Sequence, residues 1–273
     1  MKAFSSLIRQ EALIMARNHL FMVLAIVLAA SAGSIHLVRW YDASRTAPER
    51  PAMLQAGGHR LAVEYLPASV AEPPLAERMA VALMVCEVLI LGFLFGSVGL
   101  FQEKEEGSLR AYRLSPGGQA RWIGAKLTLW TGLSVAYAFA LLGTAALRLD
   151  GASLAGIALV TALGGCLMTA LGLAISACFQ NLSQWFIPGV GVLLVNMLPL
   201  AFQGATNPPV WLWLIPGWPA LQAYGQLLSG AGQAAGGGVA LSWLVVWLLA
   251  ANCLMLPTLA WVVRRRIFKE ARS

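Results

Sequence analysis

Residues 79–101 read MAVALMVCEVLILGFLFGSVGLF, and this stretch decides the fold class. It holds one charged side chain, Glu87, in a run longer than the roughly 20 apolar residues that a helix needs to cross a bilayer. A helix satisfies its own backbone hydrogen bonds, which lipid cannot do. The stretch therefore predicts a membrane-spanning helix.

Five more stretches of the chain share this character. Of the 273 residues, 59% are hydrophobic and 11% are charged, whereas soluble domains carry about 25% charged residues. We predict an all-α membrane protein with a single transmembrane domain over residues 1–273. The six predicted spans are 20–38, 79–101, 127–147, 152–179, 186–202 and 239–263.

Lysine and arginine are distributed unevenly between the two ends of these spans. Six spans put both termini on one side, and that side holds thirteen of the 19 basic residues. Loops rich in lysine and arginine remain in the cytoplasm. We expect both termini and the loop 102–126 to be cytoplasmic, in a multi-pass protein of the inner (plasma) membrane. Residues 1–18 lack the cleavage pattern of a signal peptide, so we expect the first span to remain as an anchor.

Three segments outside the spans have distinct compositions. Residues 1–18 carry apolar side chains at helical spacing beside Arg9 and Arg17, which predicts an amphipathic helix at the inner interface. Residues 39–78 form an extracytoplasmic loop with five prolines, either a small cap or a mobile segment. In residues 204–238, prolines split apolar pieces that are too short to span, which predicts re-entrant half-helices on the outer side.

Residue types that carry catalysis or bind metals are sparse. The four cysteines lie in apolar runs without a CxxC pair, and no two of the three histidines have metal-ligand spacing. The net charge of +7 comes from scattered basic residues rather than a patch with interleaved aromatics, so we expect no nucleic-acid partner. We predict no catalytic, cofactor-binding or metal-binding residues in this chain.

The loop 102–126, QEKEEGSLRAYRLSPGGQARWIGAK, carries the most information about a partner. Ser108 is suited to cap a helix, Leu109 and Tyr112 lie on adjacent turns after it, and a proline breaks the chain one turn later. We predict a short helix over 105–116, parallel to the membrane and able to dock into a partner protein.

This loop resembles that of the ABC-2 family of exporter permeases. In that family the second span is followed by an acidic residue, Glu-Gly-Thr or Glu-Gly-Ser, a leucine, Ser-Pro and Gly-x-Lys. Ala16-Arg17-Asn18 before the first span and the proline-rich stretch 207–228 before the last are also similar to the family. The loop residues that match are Glu106, Gly107, Ser108, Leu109, Ser115, Pro116, Gly124 and Lys126.

The resemblance implies a pair of permease subunits, as a homodimer or heterodimer, each docked on an ABC ATPase subunit. ATP and Mg would bind the ATPase, because this chain has no G-x-x-x-x-G-K-[ST] loop, and its nearest look-alike ends in Gly124-Ala125-Lys126-Leu127. We expect an exporter permease that is not itself an enzyme. The implied ATPase-coupling residues are Glu105, Glu106, Gly107, Ser108, Leu109, Arg110, Tyr112, Arg113, Ser115 and Pro116.

Glu87 is the one strongly ionisable residue inside the predicted spans, where a charge is costly. Either it lines or gates the translocation path, or it is a protonated carboxyl hydrogen-bonded to a neighbouring helix. Gly92, Gly96 and Gly99 form a ridge suited to close helix packing on another side of the same span. We expect the carboxyl and the glycines to face different neighbours.

Other functional classes also fit part of the pattern. In a proton-coupled secondary transporter Glu87 would carry the proton, and inverted repeats would support that function, but none is found by inspection. In a non-transporting assembly factor the chain would dock an ATPase without moving solute. An intramembrane enzyme would need clustered acid, base or nucleophilic groups, which the sequence does not offer.

Overall fold

The computed structural model describes most of the chain. Its described residues are 8–9, 12–13, 15–16, 20–45, 55–56, 59–60, 75–109, 112, 118–144, 149–203, 205, 208–228 and 239–268. Nearly all of them are helical, and six helices are long and apolar enough to cross a membrane. The predicted all-α fold with six spans is confirmed.

The helices and strands have the following bounds. Span 1 is Leu20–Arg45, and span 2 comprises Leu75–Ile90, a π-helical turn at Leu91–Phe95 and Gly96–Glu106. Span 3 is Gly118–Thr144 and span 4 is Gly151–Ala177. Span 5 is Leu182–Met197 with a 3-10 turn at Leu198–Phe202, and span 6 is Leu241–Val263 with a π-helical turn at Arg264–Phe268. Between spans 5 and 6 lie a 3-10 turn, Val210–Leu214, and a short helix, Gly217–Leu228.

Spans 2 and 3 extend into the predicted loop 102–126, so residues 107–117 alone separate them. Gly107 ends span 2 because it adopts φ 70°, a left-handed conformation that favours glycine, and its N–H donates to the carbonyl of Lys104. The predicted boundaries followed the apolar run. A helix can continue beyond its apolar run where the polar side chains there form hydrogen bonds or ion pairs with other helices. The polar side chains at the loop ends of spans 2 and 3 form such contacts.

Span 4 lies at the centre of the bundle, packed against spans 2, 3 and 6. Small residues allow its close approach to span 2. A Cβ on Gly92 would lie 2.8 Å from the Thr169 hydroxyl and 2.9 Å from the Gly165 carbonyl oxygen. A Cβ on Gly172 would lie 2.5 Å from the carbonyl oxygen of Phe93. Glycine at these two positions therefore lets the two backbones approach closely, as small residues do where transmembrane helices meet.

Spans 1, 5 and 6 lie at the periphery and expose much apolar surface, which suits contact with lipid. Trp185 in the first turn of span 5 is wholly buried, and its ring centroid lies 5.9 Å from those of both Phe93 and Phe101. These ring separations are typical of favourable aromatic pairs. Trp185 therefore fastens the start of span 5 to span 2.

Side-chain caps mark the start of spans 4 and 5. Asp150 accepts a hydrogen bond from the backbone N–H of Ser153 at 3.2 Å, and the hydrogen bonds from Ser153 lower the pKa of the Asp150 carboxyl. Asn181 accepts from the N–H of Gln184 at 2.9 Å in the same way. Spans 4 and 5 are thus joined by a tight turn at 178–181.

The segment 204–238 contains two elements too short to span a membrane, the 3-10 turn and the short helix. The short helix is largely buried against spans 2, 4 and 6. Its Tyr224 hydroxyl shares a hydrogen bond of 2.8 Å with Thr161 in span 4. A side chain at Gly217 would collide with the carbonyl oxygen of Asn196, so glycine is required at this approach. A re-entrant position in the membrane remains a prediction.

Two other predicted segments are described in part. Of residues 1–18, Ile8, Arg9, Ala12, Leu13, Met15 and Ala16 are helical, and the others lie outside the described residues. Between spans 1 and 2, strand β1 (Gln55–Ala56) pairs antiparallel with strand β2 (His59–Arg60). Span 1 continues to Arg45 and span 2 begins at Leu75, so both helices extend into the predicted loop 39–78.

Candidate functional site

The loop end of the bundle is where span 2 ends at Glu106 and span 3 begins at Gly118. A buried ion pair joins these two helices. Lys126 Nζ lies 3.1 Å from Glu103 Oε1, and the exposed fractions of the two side chains are 1% and 4%. Trp122 Nε1 donates to the other carboxylate oxygen at 2.8 Å. Glu103 is thus held by two donors, as a buried carboxylate requires.

Spans 2 and 3 are also tied to spans 4 and 6 at the loop end. Lys104 Nζ donates to the carbonyl oxygens of Ser176 at 2.9 Å and Phe179 at 2.6 Å. These carbonyls belong to the C-terminal end of span 4, which carries a partial negative charge that attracts a cation. Gln119 Nε2 donates to the carbonyl of Ala260 in span 6 at 2.7 Å. These hydrogen bonds tie spans 2 and 3 to spans 4 and 6 at the loop end.

The predicted coupling helix over 105–116 was wrong at its start. Glu105 and Glu106 lie in the last turn of span 2, and both are exposed. Gly107 separates them from the helical residues that follow, because its left-handed backbone cannot continue a helix. The Ser108 hydroxyl donates back to the carbonyl of Glu103 at 3.4 Å rather than accepting from a following amide.

Leu109 and Tyr112 are helical, but Leu109 faces its own bundle. Its side chain is 5% exposed and packs in an apolar cluster with Trp122 in span 3 and Val263 in span 6, with Tyr112 half-buried beside it. Leu109 therefore packs against the loop end of its own bundle, and a part for it in coupling to an ATPase stays a prediction. Among the predicted coupling residues, Arg110, Arg113, Ser115 and Pro116 lie outside the described residues.

Glu87 is buried between spans 1, 2 and 3. The Ser31 hydroxyl of span 1 donates a hydrogen bond to its Oε1. Oε2 has no hydrogen-bond partner among the described residues, and the Tyr137 hydroxyl of span 3 lies near the carboxyl without reaching hydrogen-bond geometry. Among the glycines of span 2, Gly92 faces span 4, whereas Gly99 faces Lys126 in span 3. The prediction that carboxyl and glycines face different neighbours is therefore confirmed for Gly92 and not for Gly99, because span 3 also flanks Glu87.

Sequence reasoning missed the buried pairing of Glu103 and Lys126. Both were assigned to a solvated loop, because the predicted spans ended at 101 and resumed at 127. A signal was present in Trp122, Ile123 and Ala125, which continue the apolar face of span 3 toward the loop end. Within the part of the chain that the structure describes, no group of three His, Cys, Asp or Glu residues is placed to hold a metal ion.

The comparisons with known proteins agree with this architecture. A family model described as "ABC-2 family transporter protein" matches residues 69–259, from just before span 2 into span 6. Two curated fluoroquinolones export permease proteins of Mycobacterium tuberculosis, from strains CDC 1551 / Oshkosh and ATCC 25618 / H37Rv, are 30% identical over 153 residues. The match covers 55% of this chain and 62% of each relative.

Proposed function

We propose that this chain, which belongs to the ABC-2 family of transporter proteins, is the permease subunit of an exporter driven by a separate ATPase subunit. The family match over residues 69–259 carries the proposal. Membership makes the chain a multi-pass transmembrane component of an ABC transporter, because six spans and the family agree. The direction of transport is inferred from relatives that are named export permeases.

The loop end supplies a physical route for coupling to an ATPase. An ATPase seated on the 107–117 segment would act on a segment held to the bundle by Leu109 and flanked by the Glu103–Lys126 pair. Buried ionic contacts break at high cost, so the helices that carry them move together. ATP and Mg would bind the ATPase, and this chain would transmit its movement to spans 2, 3, 4 and 6.

Two exposed acids lie next to the segment that we propose meets the ATPase. Glu105 and Glu106 end span 2 directly before the 107–117 segment. Exposed charges at the rim of an interface affect association rate and salt dependence more than they affect folding. We infer a second permease subunit, identical or related, because the resemblance to ABC-2 permeases implies a pair of such subunits. We also infer residence in the inner (plasma) membrane.

Co-purification with the ATPase tests the proposal. The double variant Glu105→Lys, Glu106→Lys should lower ATPase capture and ATP-driven export while leaving the amount of folded permease unchanged. The matched control is Ala152→Lys, which places a lysine at an exposed site at the other end of the bundle. If both variants captured the ATPase and exported equally well, Glu105 and Glu106 would not belong to the interface with the ATPase. Export that persists without ATP would contradict an ABC permease and favour a secondary transporter.

A further inference from the structure

The loop end of span 6 carries three consecutive arginines. Arg264, Arg265 and Arg266 begin the π-helical turn that follows the span, and all three side chains are exposed. Val263 and Ile267, on either side of them, are 0% and 3% exposed and pack in the apolar cluster of the loop end. Because these two buried side chains hold the turn against the bundle, the arginines between them are presented on its outer surface.

An exposed stripe of span 6 leads to these arginines. Leu254, Trp261 and Arg265 follow one another at intervals of seven and four residues, a spacing that places them on one face of a helix. Leu254 and Trp261 are 75% and 55% exposed. The guanidinium carbon of Arg265 lies 4.3 Å from the centroid of the Trp261 ring. On a membrane-spanning helix such a face meets lipid, with the tryptophan at the level of the headgroups.

The length of this stripe matches one leaflet of a bilayer. Leu254 and Arg264 are ten residues apart, which corresponds to about 15 Å along a helix. The hydrocarbon region of a bilayer is about 30 Å thick, so one leaflet contributes about 15 Å. A phospholipid whose phosphate lies beside the arginines would therefore place its acyl chains along the exposed face as far as Leu254.

The charge of the turn favours an anionic lipid. Residues 241–268 include no aspartate or glutamate, so span 6 and its π-helical turn offer the arginines no carboxylate of their own. A guanidinium can donate two parallel hydrogen bonds to a phosphate, and it can stack on an aromatic ring at the same time. Basic residues near a membrane surface attract anionic lipids. Arg264 and Arg265 are thus adjacent donors for a lipid phosphate.

We propose that Arg264, Arg265 and Trp261 bind the headgroup of an anionic phospholipid whose acyl chains lie along span 6. The inference goes beyond the proposed function, because it depends on the six-span fold and not on an ATPase or a transported molecule. The bound lipid would hold the loop end of span 6, where Val263 packs in the same apolar cluster as Leu109. Lipid composition would therefore act on the end of the bundle that we propose meets the ATPase.

Native mass spectrometry of the full-length chain, released from detergent micelles that contain added lipid, tests the proposal. Phosphatidylglycerol is the anionic lipid, and phosphatidylcholine with the same acyl chains is the zwitterionic comparison. We expect Arg264→Gln to raise the Kd for phosphatidylglycerol about fivefold, and the double variant Arg264→Gln, Arg265→Gln to raise it about 25-fold. The Kd for phosphatidylcholine should be the same in both variants as in the unaltered chain.

The matched control is Arg121→Gln, which removes an exposed arginine from the first turn of span 3, at the same end of the bundle. Arg121 follows two residues after Gln119, which contacts span 6, so its side chain lies about 200° further around its helix. We expect this variant to bind phosphatidylglycerol normally. An equal rise in Kd for Arg121→Gln and Arg264→Gln overturns the proposal, because the total charge of the loop end alone would then matter.

Other outcomes also overturn the proposal. Equal affinity of the unaltered chain for the two lipids would show that the arginines do not select an anionic headgroup, and this comparison requires no variant to fold. If inorganic phosphate at the same concentration displaced phosphatidylglycerol, the turn would bind a free anion rather than a lipid. If the double variant lost ATPase capture and kept its affinity for phosphatidylglycerol, the arginines would contact the ATPase.

Discussion

Lys126 of span 3 and Glu103 of span 2 form an ion pair of 3.1 Å that is almost wholly shielded from solvent. The two residues flank the segment that we propose meets the ATPase. A Cβ at Gly99 would lie 3.6 Å from the Lys126 ammonium, an ordinary van der Waals contact, so that group lies against span 2 at this position. The pair thus fixes the distance between the two helices that carry the segment.

Removing one member of this pair should destabilise the protein strongly. Lys126→Met leaves the Glu103 carboxylate buried without its cation, and Glu103→Gln leaves the Lys126 ammonium without its anion. Breaking a buried pair in this way costs about 3–5 kcal/mol. The measurement is thermal unfolding of purified protein in detergent, followed by tryptophan fluorescence.

The double variant Glu103→Gln, Lys126→Met is the control, because it removes both charges and leaves neutral groups of similar volume. We expect it to be more stable than either single variant, since no unpaired charge remains. If the double variant lost as much stability as the two single variants together, the two charges would not interact.

The close crossing of spans 2 and 4 predicts a strong dependence on glycine at one position. Gly172→Ala should lower the unfolding temperature, because the new Cβ would lie 2.5 Å from the carbonyl oxygen of Phe93. Gly132→Ala is the matched control in span 3, where nothing lies within 4 Å of a Cβ. Similar unfolding temperatures for the two variants would show that the spans cross less closely.

Leu109→Ala should destabilise the loop end rather than act only on a partner. Truncating a buried leucine costs about 2–5 kcal/mol, and Leu109 is buried within its own bundle. Tyr112→Ala should cost less, because Tyr112 is half-buried. Limited proteolysis of the permease without its ATPase is the measurement, with faster cleavage between spans 2 and 3 expected for Leu109→Ala. If Leu109→Ala left the cleavage rate unchanged but abolished ATPase capture, Leu109 would belong to the surface that contacts the ATPase.

The difference between expectation and structure at Leu109 and Lys126 has a common physical cause. Hydropathy reports the length of an apolar run, which is why six spans are predictable from it. It does not report whether a polar or apolar side chain just beyond the run finds a partner on another helix. Glu103 and Lys126 are 23 residues apart in sequence, and their contact depends on how spans 2 and 3 pack. Glu87 was predictable, because a carboxyl inside an apolar run is conspicuous by itself.

Glu87→Gln should retain folding and ATP-driven export. The amide keeps an oxygen that can accept the hydrogen bond from Ser31, and it cannot release a proton. Glu87→Leu removes the acceptor and should cost about 1 kcal/mol, the usual size of such bonds between transmembrane helices. Unfolding temperature and export in proteoliposomes are the measurements. Loss of export in Glu87→Gln with normal stability would assign the carboxyl proton a role in transport.

The orientation of the bundle predicts which end a membrane-impermeant maleimide can reach. Cys178 lies in the exposed turn between spans 4 and 5, at the same end of the bundle as the 107–117 segment. Basic residues are concentrated at this end, so it should face the cytoplasm. In a protein whose other three cysteines are replaced by serine, Cys178 should react in inside-out vesicles and not in intact cells. The Ala152→Cys variant of a chain that also lacks Cys178 should show the reverse, because residue 152 is exposed at the opposite end, at the start of span 4. If Cys178 reacted in intact cells and the cysteine at 152 were protected, the bundle would have the opposite orientation. The proposed ATPase surface would then lie outside the cell.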